Sequence, residues 1–182
     1  LFSDNKRILH IAGKIADNDR NGTNSVINML KNSKSEYELV IKTQNGLFIS
    51  EDPRVKIYKE NIEGRHNLYD GFDLMILPRR YAGLCLPMNE ALMSGIPVFM
   101  TDVSPNNFIL PKQWLVKSNK INEFMTKAMI DVYDADVKNL ASMVDRYISS
   151  DKTSDKNTAF EIANKNFSAE TLRQQYLNLI NK

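Results

Sequence analysis

The sequence predicts an α/β fold with a mainly parallel sheet and helices on both of its faces. Short apolar runs that suit buried strands alternate along the chain with segments of helical periodicity. Over 82–98, a glycine loop, a helix opened by proline, a glycine stop and an apolar strand follow one another. With 182 residues, 42% hydrophobic and 25% charged, the chain can bury the core of one ordinary domain.

The elements of the sheet come first. The predicted strands are 7–12, 38–42, 55–58, 74–77 and 97–101, with a last short one at 114–116. Val26, Ile27 and Leu30 give 23–34 the periodicity of a helix. A brief helix is expected at 67–71 and a longer one at 87–93, where Pro87 stands in the first turn and Gly95 ends the helix.

The C-terminal third is predicted to be helical. From position 121 onward, one helical face collects the apolar residues Ile121, Phe124, Met125 and Ala128. Another helix is predicted over 137–148, and the polar segment 150–157 is expected to be a loop. Ser168 caps a final helix, whose apolar stripe is Leu172, Tyr176, Leu179 and Ile180. We therefore divide the chain into one domain over 1–150 and a helical tail over 151–182 that packs on it.

The composition excludes several classes of function. The net charge of +2 comes from scattered basic residues, so nucleic acid is not an expected partner. A single cysteine rules out an internal disulfide and suits a reducing compartment. No apolar run reaches the length of a transmembrane segment. A nicotinamide or flavin site is not expected, because no Gly-x-Gly-x-x-Gly follows the first strand, and no cysteine–histidine spacing fits a metal.

The segment 82–98 carries the strongest functional signal. It places Glu90 in the predicted first turn of a helix, beside unpaired backbone N–H groups. Such a helix start attracts phosphate, because its free donors and the helix dipole both favour negative charge. A carboxylate there can accept hydroxyl hydrogens while the amides hold the anion, which suits the ribose and diphosphate of a nucleotide.

This segment resembles the donor-binding motif of retaining glycosyltransferases with the GT-B fold, which consists of two Rossmann-like halves. In that family the motif runs Glu-Gly-Phe-Gly-Leu-Pro, two variable residues, Glu-Ala and then Gly-x-Pro-Val. The matching positions are Gly83, Leu86, Pro87, Glu90, Ala91, Gly95, Pro97 and Val98. The family's first glutamate falls on Ala82, its aromatic residue on Leu84 and its second loop glycine on Cys85. Since the length accommodates only one half, and the chain begins at Leu1, we expect it to be part of a longer protein.

The resemblance implies which residues bind the donor. Glu90 is expected to bind the ribose hydroxyls, while cations after the first strand clamp the diphosphate. Lys14 stands at the family's arginine, whereas the family's lysine falls on Asn21, so Arg20 is expected to supply that charge. The full set of expected donor-binding residues is Gly13, Lys14, Arg20, Gly22, Arg79, Gly83, Leu84, Cys85, Leu86 and Glu90.

Two arginines, Arg79 and Arg80, follow the strand 74–77 at the edge where open α/β sheets bind ligands. Adjacent residues leaving a strand point opposite ways, so one of the two is expected to face the site. Arg80 is the candidate catalytic residue. The alanine at Ala82 leaves three alternatives open: a different donor, a compensating residue such as Arg80 or Asp102, or a domain that binds without catalysis. His10, inside an apolar strand, is expected to be a hydrogen-bonded core residue.

These features predict the donor-binding, C-terminal half of a retaining GT-B glycosyltransferase that transfers a hexose from a nucleoside-diphosphate sugar. The expected partners are a nucleotide sugar and an N-terminal acceptor-binding domain of the same protein. No cofactor or metal is expected, because electrostatic stabilisation of the leaving diphosphate would replace a metal ion. We expect the isolated domain to be inactive, and cytoplasmic with any membrane contact made through the other domain. The alternatives are a degenerate, non-catalytic nucleotide-binding module and a flavodoxin-like domain with unrelated ligands.

Overall fold

Six parallel strands form the central sheet of the molecule. A computed structural model describes residues 6–14, 18–45, 50–59, 68–81, 83–151 and 153–180. The strands of the sheet are β1 (Arg7–Lys14), β2 (Glu38–Asn45), β3 (Val55–Tyr58), β4 (Leu74–Ile76), β5 (Val98–Thr101) and β6 (Leu115–Val116). Their order is β3-β2-β1-β4-β5-β6, with all neighbours parallel. This is the strand order of a Rossmann-like, doubly wound sheet, which confirms the predicted fold class.

Helices cover both faces of this sheet. They are α1 (Thr23–Leu30), α2 (Leu86–Met93), α3 (Asn106–Ile109), α4 (Val137–Ile148), α5 (Thr153–Phe167) and α6 (Ala169–Ile180), with a 3₁₀ turn at Lys112–Trp114. α1 leads from β1 to β2 on one side of β1, whereas α2 leads from β4 to β5 on the other. Right-handed crossovers therefore put α1 and α2 on opposite faces, where α4 packs against α1 and α5 against α2.

The winding direction reverses between β1 and β4, which are neighbours in the sheet. Ligands of open α/β sheets bind outside the carboxyl ends of the strands at such a switch point. The two loops that leave β1 and β4 at this edge are the ones in which the sequence places its candidate residues. β4 and β5 are buried along their whole length, as expected for parallel strands covered on both faces.

An antiparallel hairpin after β6 is the largest departure from the sequence prediction. Its strands, β7 (Ser118–Met125) and β8 (Met129–Ala135), form a separate two-stranded sheet. The predicted helix starting at Ile121 is therefore wrong. Ile121, Phe124 and Met125 happen to fit a helical spacing, but β7 is exposed along most of its length and packs no helical stripe on the core. In β8, apolar and aromatic residues are interspersed with aspartates, which is typical of a half-buried strand.

The predicted loop over 150–157 is wrong in part, because α5 begins at Thr153. The Asp151 carboxylate accepts hydrogen bonds from the backbone N–H and the hydroxyl of Thr153, so the polar residues here cap a helix. Ser168 Oγ accepts the N–H of Thr171 at 3.2 Å, which confirms the predicted cap of α6. The apolar stripe of α6 is largely exposed, with Tyr176 at 67%.

The remaining boundaries differ by a few residues. β1 and β2 run on to Lys14 and Asn45, α1 ends at Leu30, and α2 begins at Leu86. β3 and α4 have their predicted bounds. Of the predicted brief helix, 67 lies outside the described residues, Leu68 is in 3₁₀ conformation and 69–71 forms a turn. None of the helices in the described ranges is both long and apolar enough to cross a bilayer.

Candidate functional site

The loops after β1 and β4 touch each other at the switch point. The backbone N–H of Arg80 donates to the carbonyl of Arg20 at 3.0 Å. Gly22, the N-cap of α1, has a φ of +73°, and a Cβ built there would clash with the carbonyl oxygen of Pro78. Only glycine fits this contact, so Gly22 sets how closely the two loops approach.

The N-terminus of α1 is already occupied by a carboxylate of the chain. Asp19, which is buried, accepts the backbone N–H groups of Thr23 at 2.8 Å and Asn24 at 2.9 Å. Helix N-terminal donors otherwise attract phosphate, but here Asp19 satisfies two of them. A ligand anion at this switch point must therefore be held mainly by other groups. The sequence analysis missed Asp19, although an aspartate shortly before a helix is a capping signal.

The two remaining candidates in the first loop have different environments. Asn21 Nδ2 donates to the carbonyls of Ile11 and Ala12, both at 3.1 Å, so this side chain closes the end of β1. Lys14 stands exposed at the carboxyl end of β1, after Gly13, whose φ is +65°. Lys14 and Arg20 are both exposed and place two cations at this edge of the sheet.

Arg79 organises the loop that leads into α2. Its side chain is 5% exposed, and Nη1 donates to the carbonyls of Gly83 at 3.1 Å and Leu84 at 3.2 Å. Its buried Nε has no hydrogen-bond partner, and among the described residues no carboxylate pairs with the guanidinium. A buried arginine normally has a carboxylate or another acceptor for its charge. This positive charge under the loop is uncompensated within the described part of the chain.

The same hydrogen bonds orient the peptide units of the loop. Because the C=O and N–H of a trans peptide point in opposite directions, carbonyls that face Arg79 turn the N–H groups of Leu84 and Cys85 away from it. No described residue accepts a hydrogen bond from these two N–H groups. Successive N–H groups on one side of a loop form an anion-binding concavity, and here it opens at the N-terminus of α2. We call the Leu84 and Cys85 N–H groups with Arg79 behind them the cradle.

Arg20 lies at the mouth of the cradle. Its Nη2 is 3.0 Å from where a Cβ on Gly83 would lie, and its guanidinium stands 5.3 Å from the centre of the Tyr81 ring. Cys85 is buried, and burial raises the pKa of its thiol although Arg79 and Arg20 partly oppose this effect. A neutral thiol at the N-cap of α2 suits a structural role rather than nucleophilic chemistry.

Glu90 lies farther along α2 than predicted. Because α2 begins at Leu86, Glu90 falls in the second turn, and the expectation of a first-turn residue is wrong. The helix dipole acts mainly on the first turn, so dipole compensation does not explain this glutamate. Its Oε2 accepts the hydroxyl of Tyr69 at 2.7 Å, which fixes the carboxylate beside the helix.

Solved structures with a similar fold are glycosyltransferases. An S. aureus TarM mutant in complex with fondaparinux, α-GlcNAc-glycerol and UDP superimposes with a TM-score of 0.69 and 17% identity, over 100% of this chain and 36% of that one. Sucrose-phosphate synthase from Thermosynechococcus elongatus gives 0.72 and 16%, over 100% and 46%. The C-terminal domain of a glycosyl transferase group 1 family protein (LpcC) from Francisella tularensis gives 0.64 and 15%, over 91% and 88%. The fold is that of one GT-B half.

The chain thus spans less than half of the TarM and sucrose-phosphate synthase chains but most of the LpcC domain. No protein-family model matches the sequence, and no curated protein matches it. At these identities the likeness shows that the chain has the fold of a GT-B half.

Arg80, the candidate catalytic residue of this GT-B half, makes contacts within the protein. Nε pairs with Asp134 of β8 at 2.8 Å, and Nη1 donates to the carbonyl of Asn18 at 2.7 Å. These bonds tie the hairpin to the two loops at the switch point. Their geometry favours a positioning role, whereas Arg79 is the arginine behind the cradle.

Other residues singled out in the sequence have clear places. His10 is fully buried, with Nδ1 2.8 Å from the carbonyl of Ile76 and Nε2 2.9 Å from Thr23 Oγ1. Burial lowers the pKa of His10 to about 4, so the ring is a neutral core residue as expected. Asp102 is exposed after β5, and Leu84 and Leu86 are exposed around the cradle. Ala82 lies outside the described residues.

A wider cleft of about 570 Å³ is lined by residues such as Tyr69, Phe72, Ser94 and Lys156. Tyr69 connects it to the site through its hydrogen bond to Glu90. In the described ranges, no group of three or more His, Cys, Asp or Glu side chains is placed to hold a metal. Metal independence therefore stays a prediction about the reaction.

Proposed function

We propose that this chain is the donor-binding half of a GT-B glycosyltransferase and holds a nucleoside-diphosphate sugar at its switch point. The cradle is the observation that carries this proposal. Two outward N–H groups, the N-terminus of α2 and a buried arginine without a described carboxylate partner converge at the ligand edge. A diphosphate supplies the negative charge that this arrangement lacks.

Glu90 would bind the ribose of the same nucleotide. The helical rise of 1.5 Å per residue places it about 6 Å along α2 from Leu86. A carboxylate at that spacing can accept ribose hydroxyls while the diphosphate sits on the cradle. The hydroxyl of Tyr69 holds one oxygen of Glu90 at 2.7 Å and restricts its orientation.

Transfer would depend on stabilising the leaving diphosphate. As the bond to the sugar breaks, negative charge grows on the phosphate oxygens, and the cradle N–H groups, with the positive charges of Arg79 behind them and Arg20 nearby, would stabilise it. Lys14 would add charge from the carboxyl end of β1. The family resemblance supports finer features of the same proposal: a hexose donor, a retaining mechanism, no metal, an N-terminal acceptor domain and a cytoplasmic location.

Thermal unfolding in the presence of nucleotides tests the donor site. At a concentration near 100 times the Kd, a bound nucleotide adds about 2.7 kcal/mol to the free energy of unfolding. For a domain of this size, we expect UDP, GDP or ADP, alone or as a sugar conjugate, to raise Tm by about 5–10 °C. Glu90→Gln keeps the shape of the side chain but removes its charge, so the nucleotide should bind about tenfold more weakly.

Glu161→Gln is the matched control, because Glu161 is an exposed glutamate on α5. It should give the same Tm shift as the unsubstituted chain. A Tm that no nucleotide changes, or a shift as large in Glu90→Gln as in the unsubstituted chain, would contradict the proposed donor site.

A non-catalytic nucleotide-binding module is the second candidate, and Asn21 favours it. The family's lysine position is taken by a side chain that binds the carbonyls of β1 instead of facing a ligand. The two candidates differ in the same experiment. A donor site binds the sugar conjugate more tightly than the free nucleotide, whereas a module that recognises only the nucleotide gives equal Tm shifts for both.

A further inference from the structure

The hairpin forms a second pocket beside the cradle, with a volume of about 370 Å³. Three segments line it. The loop after β1 contributes Asn18, the loop after β4 contributes Arg80 and Tyr81, and the hairpin contributes Ile121, Asn122, Phe124 and Val132. All three segments follow carboxyl ends of strands, so the pocket lies at the same edge of the sheet as the cradle. Its volume is in the range of small-molecule sites.

Arg80 fastens these walls together. Its guanidinium binds the carboxylate of Asp134 on β8 and the carbonyl of Asn18, and its own carbonyl accepts the N–H of Tyr133 at 2.6 Å. Asn18 Nδ2 also donates to the hydroxyl of Tyr81 at 2.9 Å. The pocket is therefore held open by a polar network and does not depend on a ligand for its shape.

A β-bulge aims the hairpin side chains into the pocket. Pairing shifts register between Lys120 and Asn122, which leaves Ile121 as the extra residue of β7. Consecutive residues of a regular strand point to opposite faces, yet Ile121 and Asn122 both line this pocket. Bulges re-aim side chains in this way, often next to functional sites.

The lining is aromatic and mostly carbon. The Phe124 and Tyr81 rings meet edge to face, with centroids 5.3 Å apart and an angle of 79° between their planes. Ile121 is 49% exposed and Phe124 is 39% exposed, so both still present apolar surface. Such a lining offers the hydroxyls of a hexose few replacements for their hydrogen bonds to water, and it favours an apolar group.

The order of residues along the site indicates which part of a substrate reaches this pocket. Glu90 lies on α2, the cradle lies at the start of α2, and Tyr81 lies beyond the cradle with Arg20 against its ring. A nucleotide with its ribose at Glu90 and its diphosphate on the cradle directs its sugar toward Gly83 and Tyr81. Tyr81 also lines the pocket, so a sugar directed this way would lie next to it.

We propose that this pocket is an acceptor subsite that takes an aryl or alkyl group attached to the hydroxyl-bearing acceptor. This assignment rests on the proposed donor-binding function. The GT-B half would then contribute directly to acceptor selection through the hairpin, in addition to binding the donor.

Phenyl β-D-glucopyranoside and methyl β-D-glucopyranoside are the probes, titrated into the whole chain with [¹³C-methyl]isoleucine labelling. We expect the phenyl compound to bind at least about fivefold more tightly, because it gains an aromatic contact, and to shift the signal of Ile121, which lines the pocket. Phe124→Ala and Ile121→Ala should each lower this affinity several-fold. Leu179→Ala, at an exposed leucine of α6, is the control and should leave it unchanged.

UDP binding, measured separately by thermal unfolding, distinguishes the two proposals. Phe124→Ala should bind UDP as the unsubstituted chain does. If UDP binds but the phenyl and methyl compounds bind equally, the acceptor subsite is refuted and the donor site stands. If the phenyl compound binds at the hairpin and no nucleotide binds anywhere, the acceptor role fails together with the donor function. Binding of the phenyl compound that Phe124→Ala and Ile121→Ala leave unchanged would place it elsewhere and also refute the subsite.

Discussion

Arg79 and Arg80 are adjacent in sequence and have different environments. Arg80 balances its charge against Asp134 with 21% of its side chain exposed, whereas Arg79 is buried beneath two carbonyls and has an unpartnered Nε. A buried unpaired charge costs free energy, and an anion bound on the cradle would offset this cost at Arg79. Both anion binding and the geometry of the loop before α2 thus depend on the side chain of Arg79.

Replacing Arg79 by methionine tests this dependence. Arg79→Met removes the buried charge and releases the carbonyls that orient the cradle, so we expect the Kd for UDP to rise about tenfold or more. The affinity of the variant should also depend less on salt concentration, because one cationic contribution is lost. Arg146→Met, at an exposed arginine of α4, should bind UDP normally. Unchanged UDP affinity and salt dependence in Arg79→Met would refute the proposal that the cradle binds the diphosphate.

The sequence located the ligand edge but not the partners of each side chain. Spacing alone brought Gly83, Leu86 and Glu90 to one loop and helix, because these positions lie on a single continuous segment. Spacing could not show that the Asn21 side chain donates to a carbonyl of β1 or that the Asp19 carboxylate caps the N-terminus of α1. Both hydrogen bonds depend on the φ and ψ angles of the loop between β1 and α1. Which of Arg79 and Arg80 faces the site could likewise not be predicted, because Arg80 pairs with Asp134, a residue of the hairpin that is distant in sequence.

At the scale of elements, the start of α1 depends on Asp19. This carboxylate accepts two N–H groups of the helix, and its residue has a φ of +41°, in the left-handed region. We expect Asp19→Ala to lower the free energy of unfolding by about 1 kcal/mol, the usual cost of losing a cap. Urea denaturation measures this change. Asp102→Ala, at an exposed aspartate after β5, should change stability by less than about 0.5 kcal/mol, and an equal loss in both variants would refute the cap.

Elements also differ in how well their sequence predicts them. β3 and α4 match their predicted bounds because each combines a clear period with flanking turn or capping residues, such as Asp136 before α4. The hairpin was missed because a strand that packs few side chains on a core carries no strict alternation. Its three apolar residues at helical spacing then favoured the wrong period, and the bulge at Ile121 disturbs the pattern further.

The fold of the whole molecule was predicted correctly, since a parallel sheet needs buried apolar strands and helical crossovers, and both leave local signals. The sequence pattern could not show which side chains connect the sheet to the helices. His10 is one of them, because its ring is hydrogen-bonded to the carbonyl of Ile76 on β4 and to the hydroxyl of Thr23 on α1. A carbonyl can only accept, so Nδ1 carries the hydrogen and Nε2 accepts from Thr23, which is the arrangement of a neutral ring.

The buried, neutral ring of His10 makes the stability of the domain depend on pH. The pKa of His10 is about 4 in the folded chain and near 6.5 when unfolded, so between these values the unfolded chain binds the extra proton. The free energy of unfolding should therefore fall as pH decreases from 6.5 to 4, by up to about 1.4 kcal/mol per pH unit and about 3 kcal/mol in all.

The variant His10→Gln tests this dependence, because its glutamine cannot titrate, whereas the carboxylates titrate equally in both chains. Urea denaturation at pH 7, 6, 5 and 4 should show the stability gap between the two proteins narrowing toward low pH. Parallel pH profiles would show that His10 becomes charged within the fold and would contradict its role as a neutral core residue.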